Sequence, residues 1–239
     1  MRAIILAAGR GSRLLNLSST MPKCMVTLKN KPLISYQIKS LSENNIENIS
    51  VVAGYLKNKI KNNKITKFFE NKIWNNTNMV YSLYMANEWL SCEDCIVSYG
   101  DIFYSKETVA NLINTNDKIS ITYDINFKYL WEKRFINPLD DLETFKVDKD
   151  YYVIEIGKKV DNIKDVMGQF MGLIKITKEG WEDIKSLVPE QDMKELDITA
   201  MLGILIKNGY KVKGVPINDT WGEIDNQSDI KLYEEIYEL

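Results

Sequence analysis

Ala3 to Ala8 form an unbroken apolar run that stops on Gly9-Arg10-Gly11-Ser12-Arg13-Leu14, and Pro22-Lys23 follows soon after. A continuous aliphatic run without polar alternation suits a parallel strand covered on both faces, so the chain starts with a core strand. Gly9 and Gly11 permit positive φ and close backbone approach, which lets successive N–H groups point at an anion. Arg13 adds a planar fork suited to phosphate oxygens. Lys23, after a proline that fixes the local backbone, adds a point charge. The segment then makes a phosphate cradle with two cations aimed at it. Two other readings fit the glycine pair taken alone. A dinucleotide-binding turn wants a third glycine where Leu14 stands and an acid about twenty positions on, and the region of Ser35 and Tyr36 offers none. A plain strand-to-loop turn with Arg13 and Lys23 in solvent stays open at this point.

The residue type that is missing decides more than those that are abundant. The chain has no histidine, so Ser-His-Asp and Cys-His catalysis and an imidazole base are excluded. Chemistry must rest on carboxylates, lysines, arginines and bound metal, which suits phosphoryl or nucleotidyl transfer. A net charge of −2 gives no basic footprint for nucleic acid. The apolar runs are too short for a bilayer, and Met1 leads directly into a strand, so no membrane partner is expected and the cytoplasm is the expected compartment. Cys24, Cys92 and Cys95 are odd in number and lie beside apolar residues, as reduced thiols do. Cys92 and Cys95 have the spacing of a zinc or redox pair but lack a second ligand pair. With 239 residues the chain suffices for one large domain.

Strand, loop and helix alternate along most of the sequence. Leu33, Tyr36, Ile38 and Leu41 recur at helical spacing, with Pro32 suited to the first turn. A second strand runs from Ile46 through Val52 to Gly54-Tyr55, completing a βαβ unit with a right-handed crossover. Residues 57 to 67 read as a basic surface helix followed by a short strand at Phe68-Phe69. Residues 79 to 90 read as one helix capped by Thr77 or Asn78, and Cys95 to Tyr99 as a buried strand ending in Gly100-Asp101. Beyond about residue 125 the alternation lapses. Strands are then expected at 151–156, 168–177 and 210–217, with helices at 179–187, 197–208 and 229–237. The fold class is α/β: one doubly wound domain over residues 1–239, with a mostly parallel central sheet flanked by helices and a small insertion at 126–170.

Two acidic positions stand out. Asp101 lies just past the carboxyl end of a strand, where ligands of open α/β sheets sit. In Trp221-Gly222-Glu223-Ile224-Asp225, an extended backbone would project Glu223 and Asp225 to one face. Either could join Asp101 around Mg²⁺, which prefers oxygen ligands and substrate phosphates. Asp225 as a helix cap is the competing reading, but Ser228 is available for that role.

Leu6-Ala7-Ala8-Gly9-x-Gly11-Ser12-Arg13-Leu14 with Pro22-Lys23 resembles the signature of the nucleotidyltransferases that make nucleoside-diphosphate sugars, alcohols and amines. Asn76-Thr77-Asn78-Met79-Val80-Tyr81-Ser82-Leu83 is similar to a segment that small cytidylyltransferases, including those acting on phosphocholine, use next to the base, and Trp131 to Arg134 and Gly168-Gln169-Phe170-Met171-Gly172-Leu173 resemble members acting on phosphocholine, aminoethylphosphonate or phosphorylated amino acids such as phosphoglutamine. The resemblance implies a Rossmann-like (GT-A-like) fold and transfer of CMP from CTP to a small phosphorylated amine or amino acid, with release of pyrophosphate. It implies Mg²⁺ on Asp101 and Asp225, and catalytic roles for Arg13, Lys23, Asp101 and Asp225. It places the nucleotide at Leu6, Ala7, Ala8, Gly9, Gly11, Ser12, Gly54, Tyr55, Asn78, Ser82, Tyr99 and Gly100. On the acceptor side, an aromatic box for a trimethylammonium group would draw on Trp131, Phe135, Phe170 and Trp221, and an ion pair for an amino-acid head on Lys133, Arg134, Asp140 and Glu143; the acceptor-binding residues expected are Trp131, Arg134, Gln169, Trp221 and Glu223. A sugar 1-phosphate acceptor and a non-catalytic nucleotide-binding domain are the alternatives. The expected assembly is a monomer or homodimer, and the resembled enzymes commonly supply bacterial surface polysaccharides.

Overall fold

The computed structural model describes residues 1–11, 14 and 19–238. Ser12 and Arg13 therefore lie outside the described residues. The chain opens with β1 (Arg2–Ala7), passes a two-residue ribbon of β2 (Thr27–Leu28) and β3 (Lys31–Pro32), and enters α1 (Leu33–Ser42). Next come β4 (Ile49–Ala53), β5 (Ile65–Glu70), α2 (Met79–Tyr84), α3 (Asn87–Leu90), β6 (Cys95–Tyr99) and β7 (Ile102–Tyr104). Then follow α4 (Lys106–Ile113), β8 (Ile119–Asp124), α5 (Phe127–Arg134) and the antiparallel pair β9 (Glu143–Val147) and β10 (Val153–Lys159). The last third holds β11 (Gln169–Ile176), α6 (Lys178–Leu187), α7 (Glu190–Met193), α8 (Ile198–Lys207), β12 (Lys213–Ile217), β13 (Trp221–Glu223) and α9 (Gln227–Ile236).

Seven strands make the main sheet in the order β12-β8-β11-β6-β1-β4-β5. All run parallel except β11, which is antiparallel to both β6 and β8. β1 sits inside this sheet because Ala3, Ile4 and Ile5 have no polar atom to hydrate on either face, and each is buried. In α1 the helical stripe Leu33, Ile34, Ile38 and Leu41 faces the core, and the buried Gln37 and Ser40 reach backbone carbonyls instead of water.

The expected helix at 57–67 is not formed. Lys57–Lys59 makes one 3₁₀ turn and Ile65–Glu70 is an edge strand against β4, because the lysines of this stretch lack an apolar stripe to bury as a helix. The helix expected at 79–90 breaks at Met85-Ala86 into α2 and α3. The last helix is capped by Asn226 rather than Ser228: Asn226 accepts from the Asp229 N–H, and the Asp229 carboxylate accepts from the Asn226 N–H. Of the two glycines expected at positive φ, Gly11 has φ 64° and Gly9 does not adopt that region.

Cys24 and Cys95 are buried, which pushes both thiols up to about 12, whereas Cys92 is exposed. Titration of the native protein with Ellman's reagent near neutral pH should therefore show one fast thiol, abolished in Cys92→Ser. All three should react after denaturation. Two fast thiols in the folded protein would contradict the burial of Cys95.

Candidate active site

The carboxyl ends of the inner strands finish level: Leu6 pairs with Val52 on one side and with Tyr99 on the other. The loops that leave β1 and β6 there carry Ala8–Gly11 and Gly100-Asp101, the edge at which parallel α/β sheets take ligands. Gly100 makes this close meeting of loops workable. A Cβ at that position would lie 2.6 Å from the Leu6 carbonyl oxygen and 3.1 Å from the Ala7 Cβ. Gln37 of α1 fixes the same turn by donating to the Tyr99 carbonyl at 3.0 Å and the Ile102 carbonyl at 2.6 Å.

Asp101 and Asp225 meet because β13 pairs antiparallel with β7, placing Glu223 opposite Ile102, and because the Ile224 N–H donates to the Asp101 carbonyl at 3.0 Å. One carboxylate oxygen from each of Asp101, Glu223 and Asp225 lies within 4.8 Å of the others. Lys23 Nζ stands among them, 2.6 Å from Asp101 Oδ2 and 2.7 Å from Asp225 Oδ1. Burial would depress this ammonium, but Asp101 and then Asp225 outweigh it and hold Lys23 above the ordinary lysine value. Glu223 is pushed up to about 8, first by burial and then by Asp101 and Asp225, with Lys23 and Arg134 pulling the other way. A carboxyl driven that high beside two further acids marks a place short of positive charge. Hard oxygen donors crowded in this way suit a divalent cation such as Mg²⁺ or Mn²⁺.

Two cavities open on this cluster. The first, about 320 Å³, is walled by Leu6, Ala7, Ala8, Gly9, Gly11, Lys23, Cys24, Met79, Ser82, Tyr99, Gly100 and Asp101. The second, also about 320 Å³, shares Met79 and Tyr99 with it and is lined by Asp141, Glu143, Thr144, Phe145, Gln169, Phe170, Asp197, Thr199 and Glu223, among others. None of its described lining residues is basic. Glu143 is held above the usual carboxylate value by desolvation and by the Asp197 charge.

Several residues expected at the site lie elsewhere. Trp131 and Trp221 are 0% and 2% exposed and stack on each other at 6.2 Å, so they are core and offer no face to an acceptor. Arg134 also lines neither cavity; its fully buried guanidinium is taken up by Asp225 and Asp229. Gly54 and Tyr55 support the first loop from behind, the Tyr55 N–H donating to the Ala8 carbonyl at 2.9 Å. Asn78 caps α2 and donates to the Glu195 carbonyl. Gln169 and Glu223 do line the second cavity. Sequence reasoning passed over Met79, Asp141 and Asp197 as site residues. Asp197 reads as the first residue of a helix, and the structure makes it the cap, accepting from the Ala200 N–H at 2.7 Å. That local role conceals its place on the cavity wall.

Residues 3–142 match the family described as MobA-like NTP transferase domain. The chain is 38% identical to the CTP:phosphoglutamine cytidylyltransferase of Campylobacter jejuni subsp. jejuni serotype O:2, over 97% of this chain and 98% of that protein. It belongs to this NTP transferase family. A shorter stretch, 38% of this chain and 41% of the relative, is 40% identical to the choline-phosphate cytidylyltransferase of Streptococcus pneumoniae. Among solved structures, the inositol-1-phosphate CTP transferase from T. maritima superimposes with a TM-score of 0.79 at 24% identity, covering 98% of this chain and 93% of that one, a likeness of fold.

In this NTP transferase the tightness of the loop junction is directly measurable. Gly100→Ala should lower stability to urea by about 1–3 kcal/mol through overpacking against β1. At Gly9 a Cβ would meet nothing within 4 Å, so Gly9→Ala should change stability by less than about 0.5 kcal/mol. Equal effects at the two glycines would refute the close approach of Gly100 to Leu6.

Proposed function

We propose that this chain transfers the cytidylyl group of CTP to a small phosphorylated acceptor bearing an amine, releasing pyrophosphate. The observation that carries it is the Lys23–Asp101–Glu223–Asp225 cluster at the junction of two cavities, one built on a glycine loop and the other walled by carboxylates. The names of the phosphoglutamine and choline-phosphate relatives support CTP as donor and a nitrogen-bearing acceptor.

In this reading the first cavity takes CTP. Gly9, Gly11 and Lys23 would hold the triphosphate, a task the sequence resemblance also gives to Ser12 and Arg13, while Ala7, Ala8 and Ser82 would face the nucleoside. Ser82 is fixed for that task, its hydroxyl accepting from Asn71 Nδ2 at 3.0 Å. Residues of the 126–170 region, with Asp197 and Thr199, form the acceptor side, where Asp141, Glu143 and Asp197 would face an ammonium and Phe170 and Tyr99 its methylene chain. Asp101 and Asp225, with Glu223, would hold Mg²⁺, which supplies charge neutralisation to the phosphates when bound. An acceptor phosphate oxygen attacks the α-phosphorus in line, the bond from the α-phosphorus to the bridging oxygen breaks, and pyrophosphate leaves with that electron pair. The attacking oxygen is already anionic near neutral pH, so no general base is required and the lack of histidine is no handicap. Lys23 offsets charge on the departing or attacking phosphate oxygens.

Pyrophosphate release should be assayed with CTP, UTP, GTP and ATP against phosphocholine, phosphoglutamine, aminoethylphosphonate and glucose 1-phosphate. Turnover is expected with CTP and one nitrogen-bearing acceptor. Turnover confined to glucose 1-phosphate would overturn the acceptor assignment, and silence across all pairs would point to a nucleotide-binding domain without catalysis. In the active pair, Asp101→Asn and Asp225→Asn should each lower kcat by at least about 10²-fold with the circular dichroism spectrum unchanged. Near-normal turnover in either variant would remove that residue from the site.

A further inference from the structure

Arg134 lies outside both cavities, yet its placement reaches the reaction centre. It is the last residue of α5, and its guanidinium is fully buried, lying 4.9 Å from the Trp131 ring and 5.0 Å from the Phe135 ring. Nε donates to Asp229 Oδ1 at 3.2 Å and Nη2 to Asp225 Oδ2 at 3.2 Å. Nη1 makes no hydrogen bond among the described residues and stands 3.7 Å from Glu223 Oε2. Asp229 completes the arrangement through the backbone, its Oδ2 accepting from the Asp225 N–H at 2.7 Å and the Asn226 N–H at 3.0 Å.

The two oxygens of Asp225 are thus divided. Oδ2 is turned to Arg134, while Oδ1 is the atom approached by Lys23, which also reaches Asp101. A carboxylate left to rotate could present either oxygen or both. A rigid planar fork held near the Trp131 and Phe135 rings removes that freedom at small further entropy cost. Trp131 stacks on Trp221 of β13, so the helix that carries Arg134 is tied to the strand that carries Glu223.

We infer that Arg134, held by Asp229, is a positioning residue that fixes Asp225 to offer the single oxygen Oδ1 to a divalent cation. The inference rests on the reading of Asp101, Glu223 and Asp225 as the cation site. Partners of metal-binding carboxylates of this kind are worth about 10–100-fold in metal affinity. Lysine retains the charge but cannot fork two carboxylates, and asparagine at 229 retains an acceptor for the backbone N–H groups but not the ion pair.

The test is Mn²⁺ binding followed by electron paramagnetic resonance, without turnover, in wild type, Arg134→Lys, Asp229→Asn and Asp225→Asn, alone and with a non-hydrolysable CTP analogue. Wild type should bind Mn²⁺, and Arg134→Lys and Asp229→Asn should bind it at least about tenfold more weakly. Both variants should remain folded at the assay temperature by circular dichroism, and kcat should recover at saturating Mg²⁺ with the KM for CTP little changed. Wild-type Mn²⁺ affinity in a folded Arg134→Lys or Asp229→Asn overturns the inference while leaving the cation site standing. Loss of the fold in both variants overturns it too, by assigning the pair to the core. Absence of Mn²⁺ binding in wild type removes the cation site itself, and this inference with it.

Discussion

The ammonium of Lys23 between Asp101 and Asp225 is the contact on which the site depends. Two carboxylates from segments far apart in sequence repel each other strongly in a partly dry setting, and closing β13 onto β7 forces them together. A cation between them turns that repulsion into a tie. Arg134 does the same on the far side for Asp225 and Asp229, where burial is complete. Removing Arg134 would leave the buried Asp229 without its ion-pair partner, the costly way to break such a pair. The chain's first loop, the exit of β6 and the start of α9 are thereby joined through charge as well as through packing.

That tie is unbalanced by design of the residues present. Asp101, Glu223, Asp225 and Asp229 face two described cations, Lys23 and Arg134, and Glu223 is pushed up to about 8, first by burial and then by Asp101 and Asp225. A site that favours a proton on one carboxylate near neutrality has free energy to gain from a doubly charged ion. Any such ion bound to the folded chain alone would raise its stability by mass action. The architecture around the cluster is stiff enough to make that gain specific: Gln37 fixes the turn before Asp101, the Tyr233 hydroxyl accepts from the Glu223 N–H, and Asp229 holds the Asp225 backbone.

Much of this was legible before any coordinates. The run from Ala3 to Ala8 read as a buried strand because nothing in it could alternate, and the glycine loop, Lys23, Asp101 and the Glu223–Asp225 step each carried a chemical reason to stand at a sheet edge. Periodicity reads local structure, and it failed where the neighbours decide. Ile65 to Lys67, read as helix ahead of the strand at Phe68-Phe69, belongs to that strand because β4 offers it an edge, and Met79 to Leu90 is two helices parted at Met85-Ala86. Arg134 and Trp131 drew attention as polar and aromatic residues in an aperiodic stretch, but their partners, Asp225, Asp229 and Trp221, lie some ninety residues on. No window along the chain contains that contact. Asp197 went unnoticed because it stood only as the first residue of the helix expected at 197–208, where the structure makes it the cap.

The sign of charge in the two cavities bears on how an acceptor would be held. Lys23 lies on the first, while the second presents Asp141, Glu143, Asp197 and Glu223 and no described basic residue. For the proposed transfer, two anionic phosphates must be brought together at Lys23, and an acceptor could in principle enter the second cavity with its phosphate leading or trailing. A carboxylate wall rejects the phosphate end at that depth and attracts an ammonium, so repulsion fixes the orientation as firmly as attraction does. The same wall disfavours an acceptor whose far end carries a carboxylate without a compensating amine, since that group would be desolvated beside like charge. Discrimination of this kind needs no extra contact to the reacting phosphate. It comes from placing Glu143 of β9 and the α8 cap Asp197 across a shared Tyr99 and Met79 from Lys23.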